Sequence, residues 1–257
     1  PGVEVVEVDR AGSDPEAALS EACTPRSRLL ASSAVQYASG RRLDMPRLGA
    51  GCTERGVLLC IDAIQQLGAQ PFDVQASGCA FAMADGHKWL LGPEGLGVFY
   101  CRRDLREQLR LHEYGWHMLE DAGNYDRRDW QPAKTARRFE CGSPNMLGAV
   151  ALEASLALLE EVGMAQVATL IEQRIARLHA GIAALPGARL LSPQEPGRRA
   201  GILTFALAGR DNGELFEALK KEQVVCAQRG GGIRLSPHFY TTETVIEDTL
   251  ALLHRLA

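Results

Sequence analysis

Asp85-Gly86-His87-Lys88-Trp89-Leu90-Leu91-Gly92-Pro93-Glu94-Gly95-Leu96-Gly97-Val98-Phe99-Tyr100 holds a lysine between a histidine and a glycine-rich turn, with an apolar run on either side. The upstream run, Cys79-Ala80-Phe81-Ala82-Met83-Ala84, has the length of a buried strand, and residues 96–101 supply another. Lys88 is therefore expected near a strand end. An amine there suits nucleophilic chemistry, because desolvation or a neighbouring cation lowers its pKa and lets it form a Schiff base with a carbonyl. Taken alone, Lys88 reads as a solvated loop lysine.

A second cluster changes that reading. Val57-Leu58-Leu59-Cys60-Ile61 is another strand-length apolar run, and it delivers Asp62 at its C-terminal end with Gln65 three residues later. Positions i and i+3 of a helical turn share a face. An acid at one strand end and a lysine at the next are what pyridoxal phosphate requires, a carboxylate for its ring nitrogen and an amine for its aldehyde. Asp62 also reads as a helix N-cap. The segments Asp62-Ala63-Ile64-Gln65, Gly86-His87-Lys88 and Gly92-Pro93-Glu94-Gly95-Leu96-Gly97 together resemble the class V aminotransferases, fold-type-I pyridoxal phosphate enzymes that include the cysteine desulfurases.

Composition agrees with a globular protein of this kind. The 257 residues are enough for a substantial core. The net charge of −4 comes from intermixed acids and bases with no basic block, so nothing points to nucleic acid as a partner. Seven cysteines stand singly at 23, 52, 60, 79, 101, 141 and 226, several inside apolar runs, and read as reduced thiols of a cytoplasmic protein. No apolar segment approaches the ~20 residues of a membrane span. The other histidines, at 112, 117, 179, 238 and 254, show no ligand spacing with His87, so no metal site is expected.

Along the first hundred residues apolar runs alternate with helix-capable stretches, the pattern of βαβ units and a mostly parallel sheet. Residues 3–8 (Val-Glu-Val-Val-Glu-Val) read as the first strand, and Ser13-Asp14-Pro15-Glu16 as a capped, proline-marked helix start. Residues 28–35 form a second strand that releases Gln36-Tyr37-Ala38-Ser39-Gly40 as a loop, and Leu43-Asp44-Met45-Pro46 opens another helix. Loops at strand C-termini are where open α/β sheets bind ligands. Residues 104–130 are irregular, rich in charge and aromatics, and read as an excursion that walls a substrate channel. Helices are expected over 146–162 and 164–185, separated by Gly163. Pro186-Gly187 then turns into a smaller α/β unit with strands at 189–191, 201–207 and around Val224, and helices over 212–222 and 242–256.

The resemblance assigns roles to particular residues. It implies that Lys88 is the Schiff-base and proton-transfer residue, that Asp62 sits on the pyridine nitrogen, and that Gln65 donates to the ring hydroxyl oxygen. It implies that His87 lies against the cofactor and that Ser33 and Gln36 approach it; both also read as turn-forming residues. Asp85 stands where many relatives carry serine. Arg137-Arg138-Phe139-Glu140-Cys141-Gly142-Ser143-Pro144-Asn145 resembles a motif whose hydroxyl residue, here Ser143, reaches the phosphate of the neighbouring subunit's cofactor, which implies a homodimer with active sites at the interface. Ser143-Pro144-Asn145 also reads as a helix cap. In Arg229-Gly230-Gly231-Gly232-Ile233-Arg234-Leu235-Ser236-Pro237-His238, Arg234 matches the substrate-carboxylate arginine and Arg229 is a second candidate.

The expected architecture is thus α/β: a fold-type-I pyridoxal phosphate-dependent transferase large domain, partial at its N-terminus, over residues 1–163, and a smaller C-terminal α/β domain over 164–257. The expected activity is amino-acid transamination, with cysteine desulfurase or epimerase chemistry as the alternative. Cys226-Ala227-Gln228 echoes a desulfurase loop, but Cys226 ends an apolar run and four residues separate Arg229 from Arg234, too few for a long sulfur-accepting loop. The Gly-Thr-rich phosphate loop and ring-stacking aromatic of the family are not found before Val3. A catalytically inactive dimerisation or binding fragment is the alternative of another class.

Overall fold

The structure, a computed structural model, describes residues 2–9, 12, 14–126 and 128–257. The apolar runs become β1 (Leu29–Ser33), β2 (Leu58–Asp62), β3 (Phe81–Asp85) and β4 (Gly97–Cys101), hydrogen-bonded in that order. β1, β2 and β3 are parallel, and β4 returns antiparallel to β3. A parallel neighbour requires a crossover. α2 (Met45–Glu54) supplies it between β1 and β2, whereas residues 63–80 cross from β2 to β3 in turns.

α1 (Pro15–Glu21) and α2 both start with an aspartate cap and a proline in the first turn. Asp14 accepts from the Ala17 N–H and Asp44 from the Arg47 N–H, both at 3.0 Å. Ser13 and Pro1 lie outside the described residues. Ser33 is opposite Asp62 and Asp62 opposite Met83, so the C-terminal ends of the three parallel strands lie side by side. That edge receives Ser33, Asp62 and Asp85. Beneath it Leu30, Leu48, Cys52, Leu59 and Ile61 form the core between sheet and helices. Burial pushes the Cys52 thiol up to about 11 and raises Cys23, Cys60, Cys79 and Cys101 as well.

α3 (Met146–Val162) and α4 (Met164–Ala183) meet at Gly163, whose φ of 82° turns the chain by 80° between them. No single helix among the described residues is long and apolar enough to cross a membrane. The second sheet runs β5 (Ala188–Leu190), β6 (Leu203–Leu207), β8 (Gly232–Leu235), β7 (Ala227–Arg229), antiparallel throughout. α4, α5 (Asn212–Lys221) and α6 (Glu243–Leu256) complete this part. Val167, Ile171, Ile175, Leu178 and Ile182 repeat at helical spacing along α4 and are all buried against Phe205, Leu219, Ile233, Leu250 and Leu253. Each such side chain contributes about 1.5–3 kcal/mol relative to exposure. Trp89, Leu90, Leu152 and Leu159 belong to the same cluster, so the turn around Lys88 packs into the core of the second sheet.

Two expectations need correction. Residues 3–8 form no strand, and Val3, Val5 and Val6 are exposed. Alternating valines make a strand only where a neighbour completes the ladder, and none of the named strands pairs with them. The strand expected around Val224 starts instead at Ala227 and is one arm of a hairpin whose other arm, β8, was not anticipated.

Candidate active site

Lys88 sits in a closed turn between β3 and β4. Gly86 N–H donates to Leu96 O and Gly92 N–H to Gly86 O, each at 2.8 Å, and Leu91 N–H donates to Lys88 O at 3.0 Å. Glycine at 92 lets the turn close, since a Cβ there would lie 2.6 Å from Leu152 Cδ1 and 3.0 Å from Gly86 O and would push the leucine aside. Leu91 holds a left-handed φ of 60°. The turn thereby presents His87 and Lys88, both partly exposed, beside Asp85: Asp85 Oδ2 is 3.9 Å from His87 Nε2 and from Lys88 Nζ.

Asp62 leaves the end of β2 with Oδ1 accepting from Ile64 N–H at 2.9 Å and Oδ2 accepting from Ser33 Oγ at 3.2 Å. The first bond is the local turn bond of an aspartate; the second, from the neighbouring strand, orients the carboxylate. No Lys, Arg or His among the described residues forms an ion pair with it. Gln65, 8% exposed, accepts at Oε1 from the Trp89 indole N–H at 2.8 Å, a fully buried bond.

The loop after β1 faces the second sheet. Gln36 Oε1 accepts from Ala38 N–H at 2.7 Å and Ser39 N–H at 2.6 Å, so this oxygen shapes its own turn. Thr204 Oγ1 donates to Ala38 O, and Arg234 Nη1 on β8 donates to Tyr37 O at 2.9 Å. Among the described residues Arg234 Nε is buried without a hydrogen-bond partner, and no carboxylate pairs with this guanidinium. Burial, with Arg229 nearby, pulls the Arg234 pKa below the ordinary arginine value. A half-desolvated cation in this state calls for an anion.

Ser143 is exposed, two residues before the cap of α3, where Asn145 Oδ1 accepts from Gly148 N–H at 2.9 Å. Asn145 Nδ2 donates to Gly95 O at 3.3 Å, which ties this segment to the turn that follows Lys88. The structure therefore brings Ser33, Asp62, Gln65, Asp85, His87 and Lys88 together at one sheet edge. No hydrogen bond or ion pair joins Ser143 or Arg229 to that group. A cavity of about 540 Å³ lined by Arg42, Asp44, Gln66, Phe72 and Arg198 contains none of these residues.

Sequence reasoning passed over Trp89 and His238. His238 Nε2–H donates to Trp89 O at 3.1 Å and Nδ1 accepts from Phe239 N–H at 2.8 Å, which fixes one neutral tautomer. Burial lowers its pKa in keeping with that state. Cys226 is partly buried and its thiol is raised by burial. The β7–β8 hairpin beyond it closes through Gly230 and Gly231, at φ 59° and 79°, a two-residue turn with no side chain at its tip.

The family model described as "Aminotransferase class-V" matches residues 1–245. An uncharacterised aminotransferase, YcbU, of Bacillus subtilis is 33% identical over 211 residues, covering 81% of this chain and 54% of the relative. A probable cysteine desulfurase of Methanothermobacter thermautotrophicus is 27% identical over 264 residues, covering 95% and 64%. Among solved structures, the apo cysteine desulfurase of Thermococcus onnurineus NA1 superposes with a TM-score of 0.86 at 23% identity, over 98% of this chain and 65% of that one. The chain thus spans between half and two thirds of the length of these proteins.

Proposed function

This chain belongs to the aminotransferase class-V family, and on that premise we propose that it binds pyridoxal 5'-phosphate through Lys88 and acts on an amino acid. The observation that carries the reading is a carboxylate without a cation, Asp62, beside the Lys88 turn at one sheet edge. The residues fit the cofactor on its other sides too. Among the described residues Lys88 has Asp85 as its one charged partner, at 3.9 Å, and Arg234, the group for a substrate carboxylate, pairs with no anion. Bound there, pyridoxal phosphate supplies an electron sink that makes a substrate Cα–H acidic.

This chain's residues do the rest. Asp62, oriented by Ser33, holds the proton of a ring nitrogen by charge. Gln65 offers a donor to a ring oxygen, and His87 covers the cofactor from the turn. Arg234, with Arg229 nearby, takes the substrate α-carboxylate in a two-pronged bond that aims Cα at Lys88. The Lys88 amine takes the Cα proton and returns it at a second carbon. We assign residues 1–163 to the cofactor-binding unit and 164–257 to the smaller unit, and place the protein in the cytoplasm as a homodimer. Support for the dimer is the exposed apolar row Met146, Leu147 and Val150 on α3, immediately after Ser143.

Transamination is our first reading, and cysteine desulfuration is the second, favoured by the names of relatives. The glycine-tipped hairpin and the raised Cys226 thiol weigh against a protein thiol receiving sulfur there. The deciding experiment offers amino acids with 2-oxo acids to the protein and follows both products. Transfer of the amino group, with KM for the amino acid raised at least about tenfold in Arg234→Lys, supports the reading. Conversion of cysteine to alanine with a persulfide on Cys226, or inversion at Cα without transfer, replaces it with desulfurase or epimerase chemistry.

A further inference from the structure

We propose that Trp89 is a positioning residue for the cofactor: its indole N–H fixes the Gln65 amide so that the NH2 end, not the oxygen, faces the group held by Asp62 and Lys88. The inference rests on the proposed cofactor reading and adds a residue to it.

An amide side chain can enter a site either way round, and only its hydrogen bonds decide which end leads. Indole nitrogen is a donor and never an acceptor. The atom of Gln65 that lies 2.8 Å from Trp89 Nε1 is therefore its oxygen. This is the one hydrogen bond of the Gln65 side chain among the described residues, so its two N–H donors remain for a ligand. A flipped amide would set N–H against N–H in a buried place, with Trp89 at 6% and Gln65 at 8% exposure.

Trp89 is itself held on every side. Its carbonyl accepts from His238 Nε2, and its ring lies 5.2 Å from the imidazole. A Cβ on Gly201 would overlap its ring, and one on Gly68 would overlap its backbone. Trp89 follows Lys88 directly, and Gln65 follows Asp62 by three positions. One rigid indole thus connects the turn that carries Lys88 to the glutamine three residues after Asp62. Through His238 it also reaches the segment that follows Arg234.

A donor on a phenolic oxygen stabilises its anionic form, so removing the donor raises the pH at which the bound cofactor's visible band titrates. The other charged or titratable groups around the site are Asp62 from β2, Asp85, His87 and Lys88 from the turn after β3, Arg229 and Arg234 from β7 and β8, and His238 after β8, which packs on the Trp89 ring. None is altered by the Trp89 and Gln65 variants below. The test adds pyridoxal phosphate to wild type, Lys88→Ala, Trp89→Phe, Gln65→Ala and the Trp89→Phe/Gln65→Ala double variant, and measures affinity and band midpoint for each. The expected result is an upward shift of about one pH unit in Trp89→Phe and in Gln65→Ala, with the double variant no further shifted. Replacing Trp89 by its benzothienyl isostere, sulfur in place of N–H at the same size, gives the same shift without a packing change and decides the matter should Trp89→Phe fail to fold. A wild-type band absent in Lys88→Ala, with an unmoved midpoint when the N–H alone is lost, overturns this inference and leaves the cofactor reading standing. Additive shifts in the double variant overturn it too, and no band in the wild type overturns both.

Discussion

Gly201→Ala tests the packing on which the site depends. A methyl group at 201 would overlap Trp89 Cη2 and lie 2.9 Å from Cζ3 and 3.0 Å from Cζ2. Carbon atoms settle at about 3.5–4.0 Å, so the ring or the backbone before β6 must retreat by about an ångström. The ring has no free direction, since Nε1 is bonded to Gln65, the carbonyl to His238, and the backbone abuts Gly68. Overpacking of this kind costs about 2 kcal/mol, and with an m-value of about 3 kcal/mol/M the urea midpoint falls by about 0.7 M. Gly197→Ala, where a Cβ meets nothing within 4 Å, is the control and changes stability by less than about 0.5 kcal/mol. Urea titration followed by circular dichroism reads both. Equal midpoints for the two variants would refute the claim that Trp89 is rigidly seated.

Acid should weaken the fold through His238. Its folded-state pKa lies below the ordinary 6.5, so below that pH the unfolded chain binds a proton that the native imidazole resists. Stability is therefore full above about pH 6.5 and falls as the pH drops through the folded value, with His179 shifted in the same direction by burial and Arg199. The loss of urea midpoint between pH 7.5 and 5.5 should shrink in His238→Asn, and an undiminished loss would contradict the assignment. Glu16, 1% exposed, accepts from Asp44 N–H at 2.6 Å and pairs with Arg198. Arg198→Met leaves that buried carboxylate with the Asp44 N–H and only a long pair to Arg47, at 3.9 Å, and should cost about 3 kcal/mol, less when combined with Glu16→Gln. A double-mutant cycle with coupling near zero would show the pair to be idle.

The parts of this molecule that declared themselves in sequence are those decided locally. The apolar runs on either side of Lys88, the Asp14 and Asp44 caps with their prolines, and the α4 repeat each needed only their own neighbours to be read. The acid and the lysine could be placed because strand ends in a parallel sheet collect along one edge. What escaped depends on partners. Residues 3–8 alternate like a strand, yet period two records only a capacity to pair. Gly230-Gly231-Gly232 reads as a flexible turn, although two glycines at positive φ are what a tight hairpin requires, and β8 went unseen with it. The Trp89–Gln65 bond joins residues 24 apart, and its one trace in sequence is that a buried indole N–H must find an acceptor somewhere.

The central claim is that Lys88 carries pyridoxal phosphate. The measurement that tests it most directly is the visible spectrum of the protein with pyridoxal phosphate, before and after borohydride, followed by peptide mapping beside a Lys88→Ala control. A visible band that borohydride bleaches, with the reduced label on Lys88 and no band in the variant, is the predicted result. An identical band in Lys88→Ala, or a label on other lysines, would contradict it.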